Sequence, residues 1–232
     1  MANIILIDTA TEVCSVALSA NGEITWHKEN FEGMAHSVLL AKYLQELTEH
    51  MKSASIKADA VAVSCGPGSY TGLRIGVSTA KGICFGAGIP LMAVNTLKVM
   101  TQGYINRFGE PDDSTWLCPM IDARRMEVYT AFFDKTLNLK REISADIIDG
   151  NSYADILADK KIVCFGNGAT KCKETLTHPN VSFVEGISPI ASDMAKLAEE
   201  CFAKKEFQDV AYFEPFYLKE FVATVSKNKF GI

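Results

Sequence analysis

The chain has 232 residues, of which 48% are hydrophobic, which is enough to build one large domain or two smaller lobes with buried cores. Its formal net charge of −5 argues against a broad surface for nucleic-acid phosphates, since such a surface needs clustered lysine and arginine. The seven cysteines form no C-x-x-C pair, so neither a disulfide framework nor a zinc ribbon is indicated, and we expect reduced core thiols.

The apolar segments of the chain are short. No window holds 18 uninterrupted apolar residues, and residues 1–4 lack the basic flank of a secretory signal. We therefore expect a cytoplasmic protein without membrane contacts.

The first elements along the chain predict a β-meander. Residues 4–7 are an apolar run, residues 8–11 are polar and turn-like, and residues 13–18 resume as a strand toward the Asn21-Gly22 turn. An antiparallel β-hairpin is therefore expected at the start of the chain.

A long amphipathic helix is predicted next. Apolar residues recur at helical spacing from near Ser37, a candidate N-cap, as far as Met51. The apolar face of this helix carries Leu40, Tyr43, Leu44 and Leu47.

A glycine turn is the most distinctive segment of the chain. An apolar strand over residues 60–63 leads into it, and a helix follows. Its backbone N–H groups could face an anion or another chain, but the dinucleotide fingerprint, the P-loop and the nucleophile elbow each fail here on residue type or spacing. We favour a structural turn over direct phosphate contact. The turn comprises Gly66, Pro67, Gly68, Ser69, Tyr70 and Thr71.

The helix after this turn has small residues at regular spacing. Gly72, Gly76 and Ala80 lie on one stripe, and Gly82 and Gly86 form a second. A glycine inside a helix costs up to ~1 kcal/mol relative to alanine, so we expect a compensating close contact. The neighbour is either the chain's own sheet or a helix of a partner, and the spacing alone leaves both open.

A polar, turn-rich stretch over residues 106–115 separates this region from a new strand signal. We place the lobe boundary there. The predicted organisation is a first lobe over residues 1–105, a smaller second lobe over residues 106–215, and a C-terminal tail over residues 216–232.

The second half of the chain repeats features of the first. Ile7-Asp8 recurs as Ile121-Asp122, and Glu12-Val13 recurs as Glu127-Val128, within a segment predicted as one strand from residue 118 to residue 133. These matches indicate an internal duplication.

Two later segments complete the second lobe. An apolar run over residues 161–165 leads into Gly166-Asn167-Gly168, a strand and glycine turn similar to residues 61–68. An amphipathic helix then opens at Ser192 and continues through Lys204.

Four segments together resemble the TsaB family, also called YeaZ, whose members are bacterial partner proteins in making threonylcarbamoyladenosine on tRNA. They read IDTATEVCSVAL, CGPGSYTGLRIG, AKGICFGAGIPLMAVNTL and IDARRMEVY. The resemblance runs from residue 4 to about residue 220, and the glycine turn and the IDAR segment are its specific parts. The first hairpin is shared with the wider group of actin-like ATPases.

The resemblance implies an α/β fold: two ribonuclease-H-like lobes of the actin-like ATPase superfold, with mixed sheets flanked by helices. It implies a heterodimer with the catalytic relative TsaD, TsaE in a larger complex, a homodimer when alone, and tRNA contact only through the complex. The dimer would be built through helices of the first lobe. The expected partner interface is therefore Leu40, Tyr43, Leu44, Leu47, Gly72, Arg74, Gly76 and Ala80.

The same comparison indicates a missing metal site. In TsaD, an H-x-x-x-H segment holds a metal, and Thr96 and Met100 stand at the corresponding positions of this chain. The four histidines, His27, His36, His50 and His178, contain no pair at i+3 or i+4. We therefore expect no catalytic residue, no metal site and no cofactor of the chain's own, with ATP and metal on partner subunits.

A candidate vestigial nucleotide site is the remaining feature. Its residues are Asp8, Thr9, Thr11, Asp122 and Arg124. Asp8 and Asp122 could imitate the paired carboxylates of an actin-like site, although we favour each as a turn cap. Arg74 and Arg124 are each expected to meet a carboxylate, in the chain or across an interface.

The leading interpretation is a noncatalytic scaffold that binds TsaD for threonylcarbamoyl transfer to the N6 amine of the adenosine next to the tRNA anticodon. One alternative is a free-standing actin-like ATPase or sugar kinase, which would use the glycine turns as phosphate loops. A metallopeptidase, or glycoprotease, is disfavoured because the histidines are scattered.

Overall fold

The computed structural model describes residues 2–33 and 36–219, so the predicted tail lies outside the described residues from position 220 onward. The helices are α1 (His36–Ser53), α2 (Tyr70–Ala87), α3 (Thr96–Phe108), α4 (Ala154–Leu157) and α5 (Ala195–Lys204). The strands are β1 (Asn3–Asp8), β2 (Cys14–Ala20), β3 (Glu23–Asn30), β4 (Ala60–Ser64), β5 (Leu91–Val94), β6 (Thr115–Asp122), β7 (Glu127–Phe133), β8 (Leu139–Ile147), β9 (Lys161–Phe165) and β10 (Val181–Val184). Single 3-10 turns span Thr170–Cys172 and Ala191–Met194.

The first sheet has the strand order β3-β2-β1-β4-β5. The strands β1, β2 and β3 form the predicted antiparallel meander, while β4 and β5 join parallel to β1. The apolar run of β1 is buried because helices cover both faces of the sheet: α1 and α2 pack on one face, and α3 and α5 on the other.

The second sheet repeats this topology in the order β8-β7-β6-β9-β10, with the same strand directions. Asp8 and Asp122 each end the central strand of their sheet. The predicted internal duplication and the two-lobed α/β fold with mixed sheets flanked by helices are therefore confirmed.

The segment predicted as one strand from residue 118 to residue 133 is instead the β6–β7 hairpin. The chain reverses at Arg124 and Arg125, which have φ angles of 72° and 48°. Left-handed backbone of this kind is usually marked by glycine or asparagine. Because neither residue type occurs at positions 124 and 125, the sequence gives no turn signal there.

Helix α3 joins the two lobes. Val99 packs in the core of the first sheet, whereas Leu97 and Met100 pack with residues of the second sheet, among them Leu117 and Phe165. The lobes therefore share an apolar seam along this helix.

Helix α5 lies against the first sheet, although the sequence assigns it to the second lobe. Met194 and Leu197 are buried with Ile4 and Leu6 of β1. An amphipathic pattern indicates that one face of a helix is buried but not which sheet covers it. Residues 191–204 therefore pack with the first lobe, not with the second lobe to which the sequence assigned them. The lobe boundary itself stays a prediction.

All seven cysteines are free thiols in this structure, and five of them are buried. Within the described ranges, none of the helices combines the length and apolar character needed to cross a bilayer.

Candidate functional site

The glycine turn between β4 and α2 packs on the turn that follows β1. The Ser69 N–H donates to the Ala10 carbonyl at 2.7 Å, and a Cβ on Gly68 would lie 2.3 Å from the same oxygen. The Ser69 hydroxyl also caps α2 by accepting from the Gly72 N–H at 3.3 Å. The absence of a side chain at Gly68 thus serves a close backbone contact within the chain.

The first small-residue stripe of α2 faces that same turn. A Cβ on Gly72 would lie 2.1 Å from the Thr9 carbonyl oxygen, and one on Gly76 would lie 2.3 Å from Thr9 Oγ1. Ala80 is fully buried in the core of the first sheet. The prediction that Gly72, Gly76 and Ala80 contact a partner is wrong, because the chain itself occupies the space beside them.

The predicted partner face of α1 is also buried inside the chain. Leu40 and Leu47 are each 1% exposed and Tyr43 is 9% exposed, and all three pack in the core of the first sheet. Leu44 is half-buried against the same cluster. The helical spacing correctly identified an apolar face, and Leu40, Tyr43 and Leu47 on it serve the core of the chain. Contact of this helix with a partner stays a prediction.

The opposite side of α2 is open. Phe85 is 86% exposed, and a Cβ on Gly82 or Gly86 would meet no atom within 4 Å. Arg74 lies on the same side of the helix as Gly82 and Gly86, because it is separated from each of them by a multiple of four residues. Val38, near the start of the neighbouring α1, is 69% exposed.

We call Arg74, Gly82, Phe85 and Gly86, which all lie on α2, the outer helical face. Sequence reasoning did not single out Phe85, although its place between the two glycines of the second stripe was the available signal. In place of a carboxylate, the Arg74 guanidinium lies over the Tyr70 ring at 5.4 Å and donates to the Tyr70 hydroxyl at 3.3 Å.

A cleft of about 740 Å³ lies between the two lobes, and we call it the interlobe cleft. This volume is typical of small-molecule sites. From the first lobe the lining includes Thr11, Glu12, His36, Gly68, Ser69, Tyr70 and Thr71; from the second it includes Asp122, Arg124, Tyr129 and Asn167. Four residues near the C-terminus, Phe216, Tyr217, Leu218 and Lys219, complete it.

Asn167 bridges the two sides of the cleft. Its Nδ2 donates to Glu12 Oε2 at 2.7 Å, and its Oδ1 accepts from the Asp122 N–H at 3.0 Å. The Asp122 carboxylate pairs with Lys171 and caps its own turn by accepting from the Arg124 N–H at 2.9 Å. The carboxylates of Glu12 and Asp122 therefore both have partners within the chain. Sequence reasoning noted the glycine turn around Asn167 but not this bridge.

The residues of the candidate nucleotide site do not assemble. Thr11, Asp122 and Arg124 line the cleft, whereas Asp8 and Thr9 are buried beneath it. The Asp8 carboxylate accepts from the Ser64 hydroxyl and from the Ala10 N–H. Burial raises the pKa of Asp8 to about 6. A pair of carboxylates facing a bound nucleotide is thus not formed, and the residues present do not fit that group.

The positions that would hold a metal in TsaD take part in packing. Thr96 Oγ1 accepts from the Gly66 N–H at 3.0 Å, and Met100 is fully buried. His36 Nε2 lies 2.8 Å from the Thr11 carbonyl oxygen, and His178 Nδ1 accepts from the Asn180 N–H. In the part of the chain that the structure describes, no group of three or more His, Cys, Asp or Glu side chains is arranged to hold a metal ion.

Comparison with known proteins places the chain among tRNA-modification proteins. The family model described as TsaD, tRNA N6-adenosine threonylcarbamoyltransferase, matches residues 30–230. The tRNA threonylcarbamoyladenosine biosynthesis protein TsaB of Escherichia coli is 31% identical over 95% of this chain and 96% of its own length. The protein of the same name from Haemophilus influenzae is 27% identical over 93% of both chains.

Solved structures share the fold. YeaZ from Pseudomonas aeruginosa is 26% identical and superposes with a TM-score of 0.77, covering 94% of this chain and 100% of that one. An uncharacterised protein with similarity to the peptidase YeaZ, also from Pseudomonas aeruginosa, superposes with a TM-score of 0.81 at 24% identity and the same coverage. The sequence matches and the shared architecture show that this chain belongs to the TsaB (YeaZ) family, as its motifs predicted.

Proposed function

We propose that this protein is a noncatalytic subunit of tRNA threonylcarbamoyladenosine biosynthesis that binds TsaD and keeps it in a competent conformation. TsaD would then transfer the threonylcarbamoyl group to the N6 amine of the adenosine next to the anticodon. Membership in the TsaB family supports the pathway. The observation that carries the binding role is the outer helical face, where Phe85 is 86% exposed between two glycines.

The chemistry of this face suits a helix of another protein. Burial of an exposed phenylalanine against a partner is energetically favourable. Aromatic side chains often contribute most of the binding energy of an interface. Because side chains are missing at Gly82 and Gly86, a partner backbone can approach closely beside that anchor. We infer that the same face serves a homodimer in the absence of TsaD, since both would compete for it.

The interlobe cleft gives further support to a noncatalytic role. Asp122 is paired with Lys171, and Glu12 accepts from Asn167. Both carboxylates thus serve contacts within the chain, which accords with a structural role for them. We therefore assign ATP and metal to partner subunits and tRNA contact to the complex, with TsaE as a further member.

The rival function of a free-standing ATPase or sugar kinase is less well supported. It would require Asp8 to face the cleft, yet this side chain is buried under hydrogen bonds from Ser64 and Ala10. A metallopeptidase would need clustered ligands, whereas the histidines that we described hold separate backbone contacts.

The test is the affinity for purified TsaD, measured by titration calorimetry. Phe85→Ser removes the apolar anchor and should weaken binding about tenfold to a hundredfold, since burying a Phe contributes about 1.5–3 kcal/mol. Ile147→Ser is the matched control, because Ile147 is 75% exposed at the end of β8 in the second lobe. Wild-type affinity in Phe85→Ser, or no binding of the wild type to TsaD, would contradict the proposal.

A further inference from the structure

Residues 208–219 follow α5 and run back over the surface of the first lobe, and we call them the strap. The Gln208 N–H donates to the Leu91 carbonyl at 2.8 Å, on the edge strand of the first sheet. Lys81 of α2 then donates to the carbonyls of Ala211 and Phe213 at 3.2 Å and 2.9 Å. The strap is thus attached to the first lobe before it reaches the cleft.

The strap meets the glycine turn at Phe216. The Phe216 N–H donates to the Cys65 carbonyl at 2.7 Å. Gly66 has a φ of 117°, and a Cβ there would lie 2.5 Å from the Phe216 carbonyl oxygen. A side chain at position 66 would therefore displace the strap. The first glycine of the turn makes room for this segment of the chain itself.

The end of the strap crosses to the second lobe. The Tyr217 ring packs on the Tyr70 ring of the first lobe with 4.9 Å between centroids. Two residues later, Lys219 forms an ion pair with Glu127 at the start of β7. Residues 216–219 also line the interlobe cleft, so they form part of its wall while joining its two sides.

We propose that the strap is a releasable latch that holds the interlobe cleft closed, and that its release separates the glycine turn from the start of β7. Among the described residues, the contacts at the tip of the latch include one backbone hydrogen bond, one ring pair and one ion pair. The ion pair is partly open to solvent, with side-chain exposures of 46% for Lys219 and 20% for Glu127. Contacts of this kind are individually weak, so the strap can open without unfolding either lobe.

Strap release differs from unfolding because other contacts keep the lobes joined. Helix α3 shares its apolar residues between the two sheets, and the Glu12–Asn167 hydrogen bond remains at the cleft. The expected motion is therefore a local opening at the strap side of the cleft. This inference stands independently of the proposed binding of TsaD.

Hydrogen–deuterium exchange of the full-length protein tests the latch. The double variant Tyr217→Ala/Lys219→Ala loses one ring pair and one exposed ion pair. The energy of these two contacts corresponds to roughly 3- to 70-fold faster amide exchange. We expect this increase in peptides from the strap tip and also across the cleft, in residues 122–128. Lys204→Ala is the control, since it removes an exposed lysine paired with Glu200 on α5 and should change neither region.

Faster exchange confined to the strap would overturn the proposal, because the strap would then be a surface segment that does not hold the cleft. Unchanged exchange in both regions would also overturn it. If the double variant does not fold, Lys219→Ala alone removes only the link to Glu127 and should accelerate exchange in residues 122–128 by about 1.5- to 5-fold. An unchanged rate there would contradict the latch.

Discussion

The Thr9 hydroxyl occupies the space that a side chain on Gly76 would fill: its Oγ1 lies 2.3 Å from the position of that Cβ. The same hydroxyl donates to the Gly72 carbonyl at 2.8 Å. This contact attaches the turn after β1 to the middle of α2. The inner face of α2 therefore packs within the chain, whereas its outer face, with Phe85 86% exposed, is open.

Gly76→Ala should destabilise the protein. The new Cβ would overlap Thr9 Oγ1, and overpacking of this kind costs about 1–3 kcal/mol. For a chain of this size we expect the melting temperature to fall by roughly 2–12 °C, measured by calorimetry or circular dichroism.

Gly82→Ala is the matched control for Gly76→Ala. Both glycines lie inside α2, but a Cβ on Gly82 meets no neighbouring atom. Alanine is the better helix former, so this variant should gain about 0.4–1 kcal/mol in the free energy of unfolding. Equal stability of the two variants would contradict the explanation that Gly76 is needed for close packing against Thr9.

Asp8 should make stability depend on pH in the acidic range. Burial raises its pKa from 3.8 to about 6, and Asp193 adds to this, while hydrogen bonds from Ser64 and Ala10 oppose it. Since the folded state binds this proton more tightly, the stabilisation is complete below the unfolded pKa of 3.8 and is lost as the pH rises through about 6. The shift corresponds to up to about 3 kcal/mol.

Asp8→Asn isolates this effect, because it cannot titrate. We expect the free energy of unfolding of the wild type to fall relative to Asp8→Asn between about pH 4 and about pH 6.5, and the difference to stay constant above that. Denaturant titrations over this range measure it. A difference that does not vary with pH would show that Asp8 keeps an ordinary pKa.

ATP should bind weakly to the purified protein in the absence of TsaD. The carboxyl of Asp8 is buried beneath the cleft and that of Asp122 is paired with Lys171, so neither is free to hold a nucleotide with its cation. We expect a Kd above about 1 mM by calorimetry, with or without magnesium. Stoichiometric binding at low micromolar ATP would favour the ATPase or kinase alternative.

Much of the fold follows from local patterns in the sequence. The matching Ile7-Asp8 and Ile121-Asp122 pairs identified the central strands of two sheets that share one topology. The helical spacing around Leu40 identified a buried face. Such patterns report periodicity and burial, which are properties of one element at a time.

The site was harder to predict because it depends on which elements meet. Spacing cannot tell whether Gly76 packs against the chain's own turn or against a partner, and here the answer lies in Thr9, 67 positions earlier in the sequence. The strap has no helical or strand period, and its contact between Phe216 and Cys65 joins distant parts of the chain. Contacts of this range leave no local signal.

The most direct test of the account is formation of threonylcarbamoyladenosine on tRNA, measured by mass spectrometry of digested tRNA in the presence of the activated threonylcarbamoyl donor. Three reactions are compared: this protein alone, TsaD alone, and the two together with their accessory subunits. The account predicts no product from this protein alone, and with the complete mixture it predicts product that falls when Phe85→Ser replaces the wild type. Product from this protein alone, or undiminished product when it is omitted, would contradict the account.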